Sequence, residues 1–170
     1  MYKKIAFISL IVILALVNWS IYQKELHIKN GEVVYLKLAP VDPRSLMQGD
    51  YMALRFDIAR KIYDKLPKKE KYRGWRDNAD AQDGRVLVSL NEKKVASFSS
   101  IFMGQMFKEN EILLHYRIRN GAVKFATNAF FFEEGSADKY ANAKYGEFRV
   151  NDIGELLLVA MADENVTVIK

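Results

Sequence analysis

Five carboxylates and three arginines carry most of the chemistry this chain could do. Asp42 and Asp50 lie in Pro40-Val41-Asp42-Pro43-Arg44-Ser45-Leu46-Met47-Gln48-Gly49-Asp50-Tyr51. Glu133 and Glu134 follow a run of three phenylalanines, and Glu147 sits in Tyr145-Gly146-Glu147-Phe148-Arg149. If the stretches met in space, two of these acids could act as acid and base on a glycosidic bond. The same acids could hold a divalent cation, but no calcium-loop spacing is present. Arg44, Arg55 and Arg149 interleave with the acids, which suits a salt-bridged network better than a raised carboxylate pKa. Asp42, Arg44, Asp50, Tyr51, Glu133, Glu134, Tyr145, Glu147 and Arg149 are therefore read as a candidate binding surface. No catalytic residue, metal site or cofactor is assigned.

Other chemistries have little support. The chain has no cysteine and two histidines, so thiol catalysis, disulfides and cysteine zinc sites are excluded. His27 reads as an interfacial residue and His115 as a cross-strand neighbour. Ser45 with Lys37 or Lys124 would be a nucleophile and base, yet their spacing does not support the pairing.

The elements that must position these residues begin with an apolar segment. Residues 5–22 read IAFISLIVILALVNWSIY, with no charge, and would span roughly 27 Å as a helix. Tyr2, Trp19 and Tyr22 sit near its ends, where interfaces favour aromatic rings. Lys3 and Lys4 outweigh the Lys24 and Glu25 flank, so the N-terminus is expected in the cytoplasm. No small-x-small site follows the segment, which argues against a cleaved signal peptide. Its only polar residues are Ser9, Asn18 and Ser20, too few for the polar face of a core helix, so an uncleaved anchor is expected. Residues 1–24 are thus expected to be a signal anchor contacting lipid through residues 5–22. Residues 25–170 are expected to be an extracytoplasmic domain, with 27–31 as a short hinge.

Composition agrees with one domain on an anchor. Of 170 residues, 50% are hydrophobic and 12% aromatic, enough for a core. A mean hydropathy of −0.14 excludes a multi-pass protein. The net charge of +5 is spread along the chain, so nucleic acid is not an expected partner. The densest basic stretch, 61–76, interleaves Tyr63, Tyr72 and Trp75 with charges. It reads as a solvated loop or short helix, or as a patch for anionic headgroups or a partner.

Beyond the anchor, alternation of two dominates. Strands are expected at 32–38, 51–57, 85–90, 94–98, 111–119, 122–132, 147–150, 155–162 and 166–169. Asn120-Gly121 is the best hairpin signal. Residues 136–144 read as a helix with Ser136 as N-cap. Ile58, Ile62 and Leu66 suit one or two helical turns ended by Pro67. The triple phenylalanine at 130–132 reads as a core strand. Met103, Met106 and their apolar neighbours read as core filling, with a lipid or partner contact as the alternative. The expected fold is mainly β: an antiparallel barrel or sandwich with one short helix, preceded by a single transmembrane helix.

Gly49-Asp50-Tyr51-Met52-Ala53-Leu54-Arg55-Phe56 resembles the motif of the GDYXXLXY protein family. The stretch 40–46, Phe132-Glu133-Glu134-Gly135 and Tyr145-Gly146-Glu147-Phe148-Arg149-Val150 resemble its other recurring blocks. The likeness covers roughly Lys29 to Glu164, plus an N-terminal apolar segment. Phe56 stands where the motif has tyrosine, so no hydroxyl acts there. The resemblance implies a bacterial, membrane-anchored protein that accompanies multi-pass membrane proteins, and it implies no activity. More remotely, 45–50 is similar to the Gly-Asp segment of membrane-anchored signal peptidases, but the nucleophile position falls on Val41.

The function expected from all this is binding: a membrane-anchored extracytoplasmic binding or accessory domain on the inner membrane, partnering a multi-pass membrane protein. The alternatives are a hydrolase of envelope peptide or glycan, with Asp50 and Glu134 as acid and base, or a catalytically dead relative of the signal peptidase fold.

Overall fold

Helix α1 (Tyr2–Asn30) is unbroken over 29 residues, about 43 Å at 1.5 Å per residue. The computed structural model describes residues 2–39, 51–66 and 82–169. None of α1's residues is buried, and it is long and apolar enough to cross a membrane. It outruns the apolar segment by two turns, because Gln23, Lys24, Glu25 and Leu26 are good helix formers. The expected hinge at 27–31 is therefore helical as far as Asn30. Gly31 follows it at a close approach: its N–H donates to the His27 carbonyl at 2.8 Å, and a Cβ there would lie 2.6 Å from that oxygen.

The strands are β1 (Glu32–Lys37), β2 (Tyr51–Ala53), β3 (Gln82–Leu90), β4 (Ala96–Ile101), β5 (Glu111–Arg119), β6 (Ala122–Lys124), β7 (Ala129–Phe131), β8 (Tyr145–Val150) and β9 (Leu156–Ala162). Two short helices accompany them, α2 (Asp57–Lys65) and α3 (Ala137–Tyr140). One antiparallel sheet runs β1-β8-β9 and another β4-β3-β5-β6, with β2-β7 as a separate pair. A parallel bridge from Tyr35 to Val95 joins β1 to β4. At the other side, the His115 N–H donates to the Gly154 carbonyl at 2.7 Å. The β8–β9 turn thereby caps the free edge of β5, and the sheets curl into a half-barrel. Gly154 allows this approach: its φ is +85°, and a Cβ would lie 2.9 Å from the Leu113 carbonyl oxygen.

The core fills the concave side. Val34 and Leu36, Val86 and Val88, Leu114, Tyr116 and Ile118, and Phe148 and Val150 alternate inward along their strands. Helix α2 plugs the opening with Ile58 and Ile62, both buried. Leu66 ends it in extended geometry, φ −67° and ψ 142°, the conformation a following proline imposes. Phe56 precedes α2 and meets Phe125 and Phe148 edge-on, with centroids 6.1 and 5.4 Å away.

Several expected elements differ. Residues 122–132 form two strands, β6 and β7, because Phe125 turns into the core and the Leu54 N–H takes the Asn128 carbonyl at 2.7 Å. The expected 51–57 strand is shorter: β2 ends at Ala53, after which the segment makes a single antiparallel bridge, Phe56 to Leu38, while Leu54 and Phe56 still point inward. The helix at 136–144 is one turn, and the Ser136 side chain makes no cap bond. The stretch 166–169 contributes a single bridge, Ala162 to Val168. Met103 and Met106 are 82% and 95% exposed, so they fill no core; the β4–β5 connection carries them outward.

Candidate functional site

The predicted surface residues fall in separate places. Asp42, Arg44 and Asp50 lie outside the described residues, as does most of the basic stretch after Leu66. Tyr51 opens β2 opposite Phe131, their rings 5.7 Å apart. Phe131 is 74% exposed, whereas Phe130 and Phe132 pack on Tyr140 at 5.0 and 5.3 Å. The triple phenylalanine is thus neither all core nor all surface; the middle ring alone turns outward, as alternation in β7 requires. Glu133 and Glu134 follow in an exposed turn and pair with no described cation.

Glu147 and Arg149 lie elsewhere, on the convex face of β8 beside the end of α1. Tyr145 opens the same strand, opposite Lys37 and Ala162. Glu147 is the buried charged residue among the described ones, 8% exposed. The Tyr35 hydroxyl, opposite it in β1, donates to Glu147 Oε2 at 3.1 Å. Arg149 Nη2 stands 3.7 Å from Oε1. Burial, then the Glu147 charge and hydrogen bond, hold the Tyr35 hydroxyl above its usual pKa, with Arg149 opposing. Two residues apart on one strand, Glu147 and Arg149 share a face.

Arg149 also grips the anchor. Its Nη1 donates to the Gly31 carbonyl at 3.4 Å. Its own carbonyl lies 3.0 Å from His27 Nε2; a carbonyl only accepts, so Nε2 carries the hydrogen. Arg149 Nε is buried with no hydrogen-bond partner among the described residues. The arrangement ties helix, β1 and β8 together, and it is a structural clamp with no open acid for proton transfer. Among the described residues, no three of His, Asp and Glu gather to hold a metal.

Sequence reasoning missed a cavity of about 780 Å³ between α2 and the β5–β6 hairpin. Arg55, Arg60 and Lys124 line it. Arg55 was expected to pair an acid, but it has no acidic partner among the described residues. The usable signal was the alternation Leu54-Arg55-Phe56, which turns Arg55 away from the core.

No curated protein and no solved structure matches the chain. The family model described as GDYXXLXY protein matches residues 13–161, most of the sequence, including Tyr51 to Phe56 and the β8 clamp. The chain belongs to the GDYXXLXY family.

Proposed function

We propose that this protein is a single-pass inner-membrane protein of a bacterial cell, with its N-terminus in the cytoplasm and its β-domain outside. There it works as a binding or accessory domain for a multi-pass membrane partner. The carrying observation is the anchor. Residues 5–22 are exposed on every face of α1, so no described residue covers them, which suits a surrounding of lipid or partner helices. The helix passes without a break into the Arg149 clamp, which fixes the domain's attitude to whatever surrounds α1. The exposed Phe131 ring, packed beside Tyr51, adds an aromatic contact of the kind interfaces favour.

Detergent solubilisation and affinity capture of the full-length chain test this. A stoichiometric multi-pass protein is expected, and Phe131→Asp should lower its recovery while leaving the domain's melting temperature unchanged. Recovery of the chain alone, with hydrolysis of an envelope substrate that is lost in Asp50→Asn, would overturn the reading. A C-terminal reporter active only in the cytosol would overturn the orientation.

A further inference from the structure

We propose that the cavity between α2 and the β5–β6 hairpin binds an organic anion, a carboxylate or phosphate head on an apolar body. Its volume of about 780 Å³ falls within the roughly 300–1,000 Å³ of small-molecule sites. Its floor is apolar: Leu54, Phe56 and Phe125 line it and belong to the core. Its walls are cationic. Arg55, Arg60, Lys124 and Arg119 line it, and no described lining residue is acidic. Arg119 is already committed to Asp83 at 2.8 Å. The other three make no ion pair with a described residue, whereas Lys61 and Lys94 find acids at 3.4 and 3.0 Å.

Three cations facing one space repel each other, and a bound anion offsets that cost through charge-assisted bonds. A bare inorganic anion would leave the apolar floor wet. A neutral apolar molecule would leave the cations unused. An amphiphilic anion satisfies both parts.

The location narrows the source. Ala39 lines the cavity, while Gly31 marks the anchor's exit at the other end of β1. Eight residues of extended chain separate them, roughly 26 Å. The mouth is thus remote from the helix exit, which favours a ligand arriving from the aqueous side. This inference does not depend on the identity or existence of a protein partner.

The test is calorimetric titration of the full-length protein in phosphatidylcholine nanodiscs, with empty nanodiscs as blank. The probes are octanoate, octyl phosphate, octanol and inorganic phosphate. One site per chain is expected for octanoate, octyl phosphate or both, and none for octanol or inorganic phosphate. A phosphate preference points to a lipid headgroup type of ligand, and a carboxylate preference to a fatty or aryl acid; either supports the proposal. Arg55→Gln and Lys124→Gln should each weaken binding about tenfold, with Lys124→Arg restoring most of it. Their melting temperatures should match the parent, separating lost binding from lost folding. Equal binding of octanol, equal binding of inorganic phosphate, no binding by either octyl anion, or unchanged affinity in folded variants would each overturn it.

Discussion

Removing Arg149 should destabilise the domain through Glu147. In Arg149→Met the carboxylate stays in place, 8% exposed, with the Tyr35 hydroxyl as its remaining partner. Unit charges about 4 Å apart at an effective dielectric near 20 attract by about 4 kcal/mol. The two side chains are 29% and 11% exposed, so water screens part of that, and loss of the cation should cost about 2–3 kcal/mol. Glu147→Gln keeps an acceptor for Tyr35 and leaves the more exposed Arg149 to solvent, costing about 1 kcal/mol. The double variant should cost less than the sum, with a coupling of about 1–2 kcal/mol. Unfolding of the full-length chain in zwitterionic micelles, followed by circular dichroism at pH 7, measures all four corners. The Arg149→Met midpoint should fall by about 5–10 °C. Strict additivity, or a loss below about 0.5 kcal/mol for Arg149→Met, would show that the pair does not hold the clamp.

Gly154→Ala should cost about 2–4 kcal/mol in the same unfolding assay, combining positive-φ strain with crowding against the Leu113 carbonyl. An unchanged midpoint would mean that the turn does not close on β5. Tyr35 has a raised folded pKa, so its contribution is complete below the unfolded value of 10.0 and is lost as pH climbs through the folded one. Tyr35→Phe should therefore flatten part of the stability decline above pH 10.0, leaving the part due to Tyr116, whose hydroxyl burial also raises. Identical alkaline profiles would remove Tyr35 from that linkage. Spin labels at Gln23→Cys and Asp152→Cys, residues that border one small cavity, should give a narrow distance distribution. It should broaden in His27→Ala, and a broad distribution in the parent would contradict the clamp.

Legibility in the sequence followed the range of the interactions. The Asn120-Gly121 hairpin was readable because its backbone demand is local: φ is 53° and 70° at the two positions, the conformation that pair favours. Met52, Leu54 and Phe56 were readable as one inward face because alternation survives after the β2 hydrogen bonds end. The break between β6 and β7 was not, since Ala126 at φ 21° is held there by packing of Phe125 and by the Leu54–Asn128 bond rather than by a turn residue. Glu147 and Arg149 could be seen as same-face neighbours. Tyr35 could not join them, because its register with β8 spans more than a hundred residues. The cavity was hidden for a similar reason: Arg55, Arg60 and Lys124 come from a loop, a helix and a strand.

The family motif links the core to the cavity. Counting from Tyr51, even positions enter the core as Met52, Leu54 and Phe56, and Arg55 is left on the other side. Leu54 and Phe56 also floor the cavity, while Arg55 stands at its rim. One alternating segment therefore sets both the packing under α2 and the position of one cation. A shift by one residue would exchange the two faces, burying a guanidinium and exposing Met52, Leu54 and Phe56. Packing accounts for the leucine at position 54 and the large ring at 56, while the motif itself leaves positions 52, 53 and 55 open. In this chain the open position 55 carries an arginine with no described acidic partner, lining the same cavity as Arg60 and Lys124. The proposed organic anion would meet that charge at that place.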